Sequence, residues 1–282
     1  MRSLQNRLFE GFFKNAGGMA CPSTRESLEN EIRIRLDREQ YNLNDIDTSM
    51  ITDMSYLFTG FKNKKLSKID ISLWDVSKVE NMRGMFYNCS NFKGDISKWN
   101  VSKVRDMGNM FYNCENFRGD LSKWDVSNVT NMYSMFTHCF RFNGDLSKWN
   151  VSNVTNMANM FYCCTNFNSD LSKWNVGRVE RMDDMFNNCV NFNSNLSRWN
   201  VSRVEKMTSM FKNCSNFNSD LSRWDVRKVG NMSYMFWGCD KFDCDLSKWD
   251  VSGVYSLDFM FDDSGVKELP SWFLHHVITR YA

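Results

Sequence analysis

Apolar residues along this chain return at a fixed interval of 25 residues. The interval is set by a tryptophan that recurs without an insertion, at Trp74, Trp99, Trp124, Trp149, Trp174, Trp199, Trp224 and Trp249. Within one interval, Val79, Met82, Met85, Phe86 and Cys89 are three, three, one and three residues apart. That spacing places all five on one face of a helix. The pattern therefore predicts one short helix in each unit.

The remaining residues of each unit predict the start of the helix and a short strand. Ser77 and Ser102 lie just before the apolar positions, where the N-caps of the predicted helices are expected. In residues 120–126, Trp124 and Val126 are two residues apart, which fits one face of a strand, but Leu121 lies three residues before Trp124 and does not. The segment therefore fits only a strand of about three to five residues, followed by a turn that begins with Asp or Asn. A fixed period of this length is typical of a solenoid. We therefore predict an α/β, leucine-rich-repeat-like solenoid of about nine 25-residue units, each a short parallel strand plus a short helix, with helical caps.

The segments that flank the repeat have the pattern of end caps. Leu28, Ile32 and Leu36 are four residues apart with charged residues between them, which predicts an amphipathic capping helix. Pro270 precedes an apolar run that predicts a second cap. The predicted division is an N-terminal arm and capping helix over 1–46, the repeat over 47–262 and a C-terminal cap over 263–282. Residues 1 to about 20 show no clear pattern, and we expect them to form either a mobile arm or a tail that becomes ordered only against a partner.

One run of residues carries a resemblance to a known family. Residues 124–136 read Trp-Asp-Val-Ser-Asn-Val-Thr-Asn-Met-x-x-Met-Phe, and residues 149–161 nearly repeat them. This run resembles the bacterial surface protein 26-residue repeat of BspA-like leucine-rich-repeat surface proteins, and the resemblance covers residues 47–262. It implies a leucine-rich-repeat-like solenoid with a binding or surface role. The family occurs in bacteria, in some protists and in large DNA viruses of amoebae, so a viral source is one expectation.

The N-terminal residues bear on where the protein works. Glu10, Lys14 and Asn15 interrupt the apolar residues near the start, so we expect no signal peptide and a cytoplasmic protein, in host cytoplasm or a virion if the source is viral. The alternative is an exported adhesin or lipoprotein, because residues 19–21 weakly resemble a lipoprotein cleavage site. Met19 is also a possible second start. The sequence has no run of about 18 apolar residues, so no membrane span is expected.

Composition and charge narrow the classes of partner. The 35 Lys and Arg residues nearly balance the 33 Asp and Glu residues, for a net charge of +2. One basic residue per unit follows an acidic residue by three positions, as Lys98 follows Asp95, so we expect the two rows to compensate each other. A nucleic-acid partner is therefore not expected. The two rows could alternatively form a basic groove or hold calcium.

The ten cysteines predict a buried, reduced ladder. Seven of them occupy one position of the unit and share the apolar face: Cys89, Cys114, Cys139, Cys164, Cys189, Cys214 and Cys239. Free cysteine packs as a small hydrophobe. With 3 histidines and no Cys-x-x-Cys pair, we expect no metal site and no cofactor.

Positions that change from unit to unit are the candidates for binding. The position directly after the core phenylalanine varies most, and other variable aromatic residues lie nearby. The candidate binding residues are Tyr87, Tyr112, Tyr133, Phe140, Tyr162, Tyr234 and Trp237. Exposed Tyr and Trp suit a protein interface. An equally weighted alternative is that these rings cover the ends of the helices as partly buried edges.

The sequence predicts a protein that binds rather than catalyses. The candidate carboxylates recur identically in unit after unit, whereas an active site needs different groups converging on one substrate. We therefore expect a non-enzymatic protein-interaction scaffold with a protein partner of unknown identity and possible self-association. The exported adhesin stays the alternative.

Overall fold

The computed structural model describes residues 19–281, and its helices lie at the two ends of the repeat. Helix α1 spans Arg25–Asp37, the single-turn helix α2 spans Asn63–Leu66 and helix α3 spans Ser271–Tyr281. Between α2 and α3 the chain forms coils that stack on one another. Isolated parallel bridges join each coil to the next, from Asp53 with Asn81 to Asn231 with Ser256. No strand longer than a bridge occurs in the described residues.

The prediction of an α/β solenoid with a strand and a helix in each unit is wrong. The predicted helical segment is instead a series of tight turns. The N–H of Met85 donates to the carbonyl of Met82, and the N–H of Cys89 donates to that of Phe86, each three residues back. Gly84 has a φ of 59°. An α-helix needs negative φ and bonds four residues back, so no helix forms here.

Alternate N–H groups of the same segment point to the following coil. Four bonds of 2.8 to 2.9 Å join Met82 to Asp106, Gly84 to Gly108, Phe86 to Met110 and Asn88 to Tyr112. The N–H of Arg83 donates to the side-chain oxygen of Asn81. Every backbone N–H from 82 to 89 therefore has an acceptor, either within its own coil or in the next one, as buried backbone requires.

The predicted strand and the predicted N-caps are also turns. The N–H of Trp124 donates to the carbonyl of Leu121 at 3.1 Å, which closes a turn where a strand was expected. The N–H of Ser122 donates to the carboxylate of Asp120 at 2.9 Å. Ser77 likewise donates to Asp75 at 2.9 Å and begins no helix. These serines complete turns led by Asp or Asn, in which the side chain mimics a backbone acceptor.

Aromatic side chains form continuous columns through the stack. The rings of Trp74 and Trp99 lie 6.4 Å apart and within 4° of parallel, and those of Phe86 and Phe111 lie 5.5 Å apart and within 6°. The indole N–H of Trp99 donates to the carbonyl of Ile71 at 3.1 Å. Each tryptophan thus fills the core and bonds to the preceding coil. The excess of aromatic residues is the core of this stack.

The cysteine ladder is confirmed. The seven cysteines that share one position of the unit are buried, and their thiols are free of disulfides. The thiol of Cys114 donates to the carbonyl of Phe86 at 3.0 Å, and Cys164 bonds to Phe136 in the same way at 2.9 Å. Burial raises the pKa of Cys89 and of Cys239 to about 12. These thiols are inert small core residues that also tie neighbouring coils together.

The two ends of the stack are covered by helices. On α1, Leu28, Ile32 and Leu36 are fully buried, as the amphipathic pattern predicted. The side chain of Thr24 accepts a bond from the N–H of Ser27 and caps the helix. On α3, Trp272 continues the tryptophan column. The predicted mobile arm falls largely on residues 1–18, which lie outside the described residues.

No helix in the part of the chain that the structure describes is both long enough and apolar enough to span a bilayer.

Candidate functional site

A row of aromatic rings runs along one side of the stack. The rings of Tyr87 and Tyr112 are stacked 4.6 Å apart. His138 meets Tyr112 and Tyr162 edge-on at 6.0 and 5.4 Å. Two further rings extend the row, Tyr56 at 6.2 Å from Tyr87 and Phe140 at 5.7 Å from His138. We call these six residues the aromatic stripe.

Coil geometry explains why a histidine completes the stripe. The position after the core phenylalanine is Thr137 in this unit, and Thr137 is buried with its hydroxyl donating to the carbonyl of Asn159 at 2.7 Å. The contact with the rings of the neighbouring coils is made instead by the next residue, His138, whose backbone has a φ of 59°. Sequence reasoning missed His138 and Tyr56. Their aromatic character at variable positions was the available signal.

A second group of rings lies nearer the C-terminal end. The ammonium of Lys212 lies 4.7 Å from the ring centre of Tyr234 and 4.9 Å from that of Trp237. Phe259 stacks on Tyr234 at 5.0 Å. We call these four residues the C-terminal aromatic cluster. A cation over two rings holds the cluster in one arrangement.

Polar side chains separate the stripe from the cluster. The amide of Asn187 donates to the carboxylate of Asp184 at 2.8 Å, and Asn188 donates to Asn187 at 2.8 Å. Burial raises the pKa of Asp184, although its bond to Asn187 acts in the opposite direction. Six of the seven predicted site residues therefore lie on two surfaces and not one.

The structure places six of the seven predicted site residues at intermediate burial and Phe140 at the surface. Tyr87, Tyr112, Phe140 and Tyr162 belong to the stripe, and Tyr234 and Trp237 belong to the cluster. Tyr133 makes no ring-ring contact among the described residues, but its phenol contributes to the raised pKa of Tyr112, for which burial is the larger cause. The other six rings each pack on a neighbouring side chain and keep part of their surface in solvent, so whether they form a protein interface stays a prediction.

The stripe carries little charge at neutral pH. Burial lowers the pKa of His138, which favours the neutral imidazole. Burial also raises the pKa of Tyr162, so its phenol stays protonated. Rings of this kind offer flat apolar faces with polar edges, a combination that proteins use at interfaces.

The acidic and basic rows compensate each other only weakly. In residues 19–281 no ion pair joins the two rows. The pKa of Asp120 is lowered chiefly by its bonds from Ser122, and Lys123 adds a smaller effect. The described residues also contain no group of three or more His, Cys, Asp or Glu that could hold a metal ion. The acidic row is part of the turn structure.

Sequence comparison gives a family for this repeat. Residues 31–122, 81–196 and 155–272 match the family described as Mycoplasma protein of unknown function, DUF285. The chain belongs to this family. Comparison with the curated proteins gives no match.

The three DUF285 matches overlap and together include the whole stripe and the whole cluster. The stripe is therefore built on the repeat itself and not on an appended segment. Three of its rings, Tyr87, Tyr112 and Tyr162, occupy the position where other units of this chain carry Asn187 or Lys212. The repeat tolerates a polar residue there, so stacking alone does not require the rings.

Proposed function

We propose that this DUF285 protein is a non-enzymatic scaffold that binds a protein partner through the aromatic stripe. The observation that carries this proposal is the stacking of Tyr87 on Tyr112 at 4.6 Å at a half-exposed position that other units fill with polar residues. The buried columns beside it, by contrast, keep the same residue in unit after unit.

Pre-organisation supports a binding role for these rings. Tyr112 contacts Tyr87 on one side and His138 on the other, so its side chain has lost most of its freedom before any partner arrives. A rigid aromatic side chain gives a large contact area at a small further entropic cost. Interface residues that contribute most to affinity are enriched in Tyr and Trp. The stripe extends over several coils and offers a long, narrow contact.

The use of polar groups supports a non-catalytic role. The carboxylate that recurs in each unit accepts the N–H of the serine two residues later, as Asp145 accepts Ser147 at 2.9 Å. Such a group is engaged in a turn and repeats in the same surroundings. Catalysis needs different groups around one substrate.

We also propose that the chain is a BspA-like repeat protein that works inside a cell or in a virus particle. The shared motif at residues 124–136 supports the first part. The cysteine ladder supports the second, since disulfides are typical of oxidising compartments and the seven buried cysteines form none. Cell fractionation tests the location: a protease-accessible protein in the membrane pellet would instead favour an exported adhesin.

The binding proposal is tested with a matched pair of variants. A partner is isolated from the source cell with the full chain, purified, and titrated against Tyr87→Ser/Tyr112→Ser and against Tyr255→Ser. Tyr255 is 70% exposed and lies outside the stripe. We expect the stripe variant to bind at least 10-fold more weakly and the control to bind as the unmodified chain does.

Thermal unfolding of both variants separates binding from folding. A stripe variant that keeps its thermal midpoint and loses affinity supports the proposal. Unchanged affinity, or an equal loss in the Tyr255 control, would overturn it.

A further inference from the structure

Within residues 19–281, the C-terminal end of the stack has a row of backbone hydrogen-bond donors that find no acceptor. In the preceding coil, the N–H of Met232 donates to Ser256 and that of Tyr234 donates to Asp258, at 3.0 and 2.9 Å. The equivalent groups of the last coil are the N–H groups of Leu257, Phe259, Phe261 and Asp263. None of these four has an acceptor within residues 19–281. We call residues 257–263 the C-terminal edge.

Helix α3 covers the interior of the last coil but leaves its rim open. Phe273 meets Phe261 edge-on at 5.0 Å, and Trp272 stacks on Trp249 at 6.4 Å. Phe259, on the rim, is 52% exposed. Leu257 and Phe261 themselves are 2% and 7% exposed, so the accessible part of the row lies at Phe259 and Asp263. Backbone donors without partners beside an exposed apolar side chain are a template for pairing with another chain segment.

The charge of the C-terminal edge favours a basic occupant. Asp262 and Asp263 are exposed and make no ion pair among the described residues. The nearby Lys267 is bound to Asp243 at 2.6 Å. An extended segment that supplies carbonyls at alternate residues, together with apolar and basic side chains, would match this edge.

A second copy of the chain cannot supply that match by stacking coil on coil. Two C-terminal edges facing each other would place donors against donors and carboxylates against carboxylates. The first coil of another copy is covered by α1, which leaves Met54, Leu57 and Phe58 fully buried. The segment that precedes α1 is the part of the chain with the required chemistry.

Residues 1–18 have that chemistry in their sequence. They contain Arg2, Arg7 and Lys14 against Glu10, and six large apolar residues, at Met1, Leu4, Leu8, Phe9, Phe12 and Phe13. No proline interrupts them, so every N–H is available for a ladder. The chain that follows directly already pairs in parallel with a coil, since Ala20 bridges Ile46.

We propose that residues 1–18 of one copy pair with the C-terminal edge of a second copy, head to tail. Within a single chain the segment would first have to cross the stack. The eight bridge steps from Asp53 to Ser256 span about 38 Å at about 4.8 Å each, and about 11 residues of extended chain would be used in crossing it. Pairing with a second copy leaves the whole segment for contact. A head-to-tail contact does not close on itself, so longer assemblies form as concentration rises.

Complementation between two full-length variants tests this proposal. Phe259→Asn alters the edge, and the backbone accepts it because Asn109 and Asn159 occupy the equivalent position in other units, with φ of 58 and 59°. Arg7→Ser/Phe9→Ser/Phe12→Ser alters the segment. Sedimentation velocity over a 100-fold concentration range compares the unmodified chain, each variant alone and their equimolar mixture. Leu73→Asn, which replaces a 72% exposed apolar residue outside the stripe, the cluster and the C-terminal edge, is the matched control.

The unmodified chain and the Leu73→Asn control should associate, and each binding variant alone should stay monomeric. The mixture should form a one-to-one dimer that goes no further, because it retains one intact edge and one intact segment. High salt should weaken it, as expected for the charges involved. A monomeric unmodified chain, association that persists in both variants, or a mixture that stays monomeric would overturn the proposal.

Discussion

The indole N–H of Trp272 donates to the carbonyl of Leu246 at 2.8 Å. Trp249 makes the corresponding bond to Leu221 at 3.0 Å, so α3 continues the tryptophan column although it belongs to no repeat unit. Trp272, which lies on a helix, thus makes the same two interactions as a tryptophan of a coil, namely ring stacking and an indole hydrogen bond. Helix α3 therefore covers the end of the stack with contacts like those of a further unit.

Replacing Trp272 tests the importance of this closure. Trp272→Phe keeps an aromatic ring but removes the donor to Leu246. We expect the free energy of unfolding to fall by about 1 kcal/mol, the usual cost of one lost hydrogen bond. Chemical denaturation measures the change, and hydrogen exchange should show faster opening of the last coil. Leu274→Ala, at a largely exposed position of the same helix, is the control and should change stability little. Equal effects of the two substitutions would contradict the role of the bond.

The buried thiols predict a steep loss of stability in alkali. Burial raises their pKa from the ordinary value near 9 to about 12 for Cys89 and Cys239, and also raises that of Cys114, Cys164 and Cys214. Above pH 9 the unfolded chain releases these protons and the folded chain keeps them. The stabilisation is therefore complete below pH 9 and is lost as pH rises toward the folded pKa values. Each thiol contributes up to about 1.4 kcal/mol per pH unit.

Urea unfolding at a series of pH values from 8 to 11 measures this slope. With seven buried thiols, the slope should approach a limit on the order of 10 kcal/mol per pH unit. Cys114→Ala/Cys189→Ala should reduce it by about two sevenths. Replacing the half-exposed Cys21 with Ser is the comparison that should leave it nearly unchanged. A stability that is flat from pH 8 to pH 10 would show that these thiols are not held protonated by the fold.

The acidic row predicts a difference between two substitutions at one position. Asp120→Asn keeps an oxygen for the N–H of Ser122, and Asn195 already performs this role for Ser197 at 3.0 Å. We expect this change to be nearly neutral. Asp120→Ala removes the acceptor and should lower the free energy of unfolding by about 1 kcal/mol. Thermal or urea unfolding at pH 7 decides between them. A large loss with Asn would mean that the charge, and not the turn, is the important property.

The error in the sequence-based fold prediction has a physical cause. Met82 and Met85 are three residues apart and both buried, which fits a helix face. The same spacing results when a turn closes every three residues, as it does here. The distinguishing signal is at Gly84 and Asn88, which have φ of 59 and 61°. Gly and Asn tolerate the left-handed region, so their return at these positions marks turns and not a helix.

The buried columns could be predicted from the sequence, because they depend only on the 25-residue period of the apolar residues. The candidate site could be predicted only in part. Period and variability identified Tyr87 and Tyr112, but not that His138 would replace Thr137 in the row of rings. Which variable side chains meet depends on the local path of the turns. The path depends on backbone conformations that the pattern of hydrophobic residues does not reveal.

Neighbouring coils are joined by the same backbone bonds at equivalent residues, and this regularity affects how the number of units can change. Each interior unit receives bonds from the coil before it and gives the same bonds to the coil after it, as the bridges at Asn131 and Asn156 show. A duplication or deletion of one whole unit would restore every one of those bonds at the new junction. Recombination between repeats can thus lengthen or shorten the molecule in steps of about 4.8 Å while both ends stay closed.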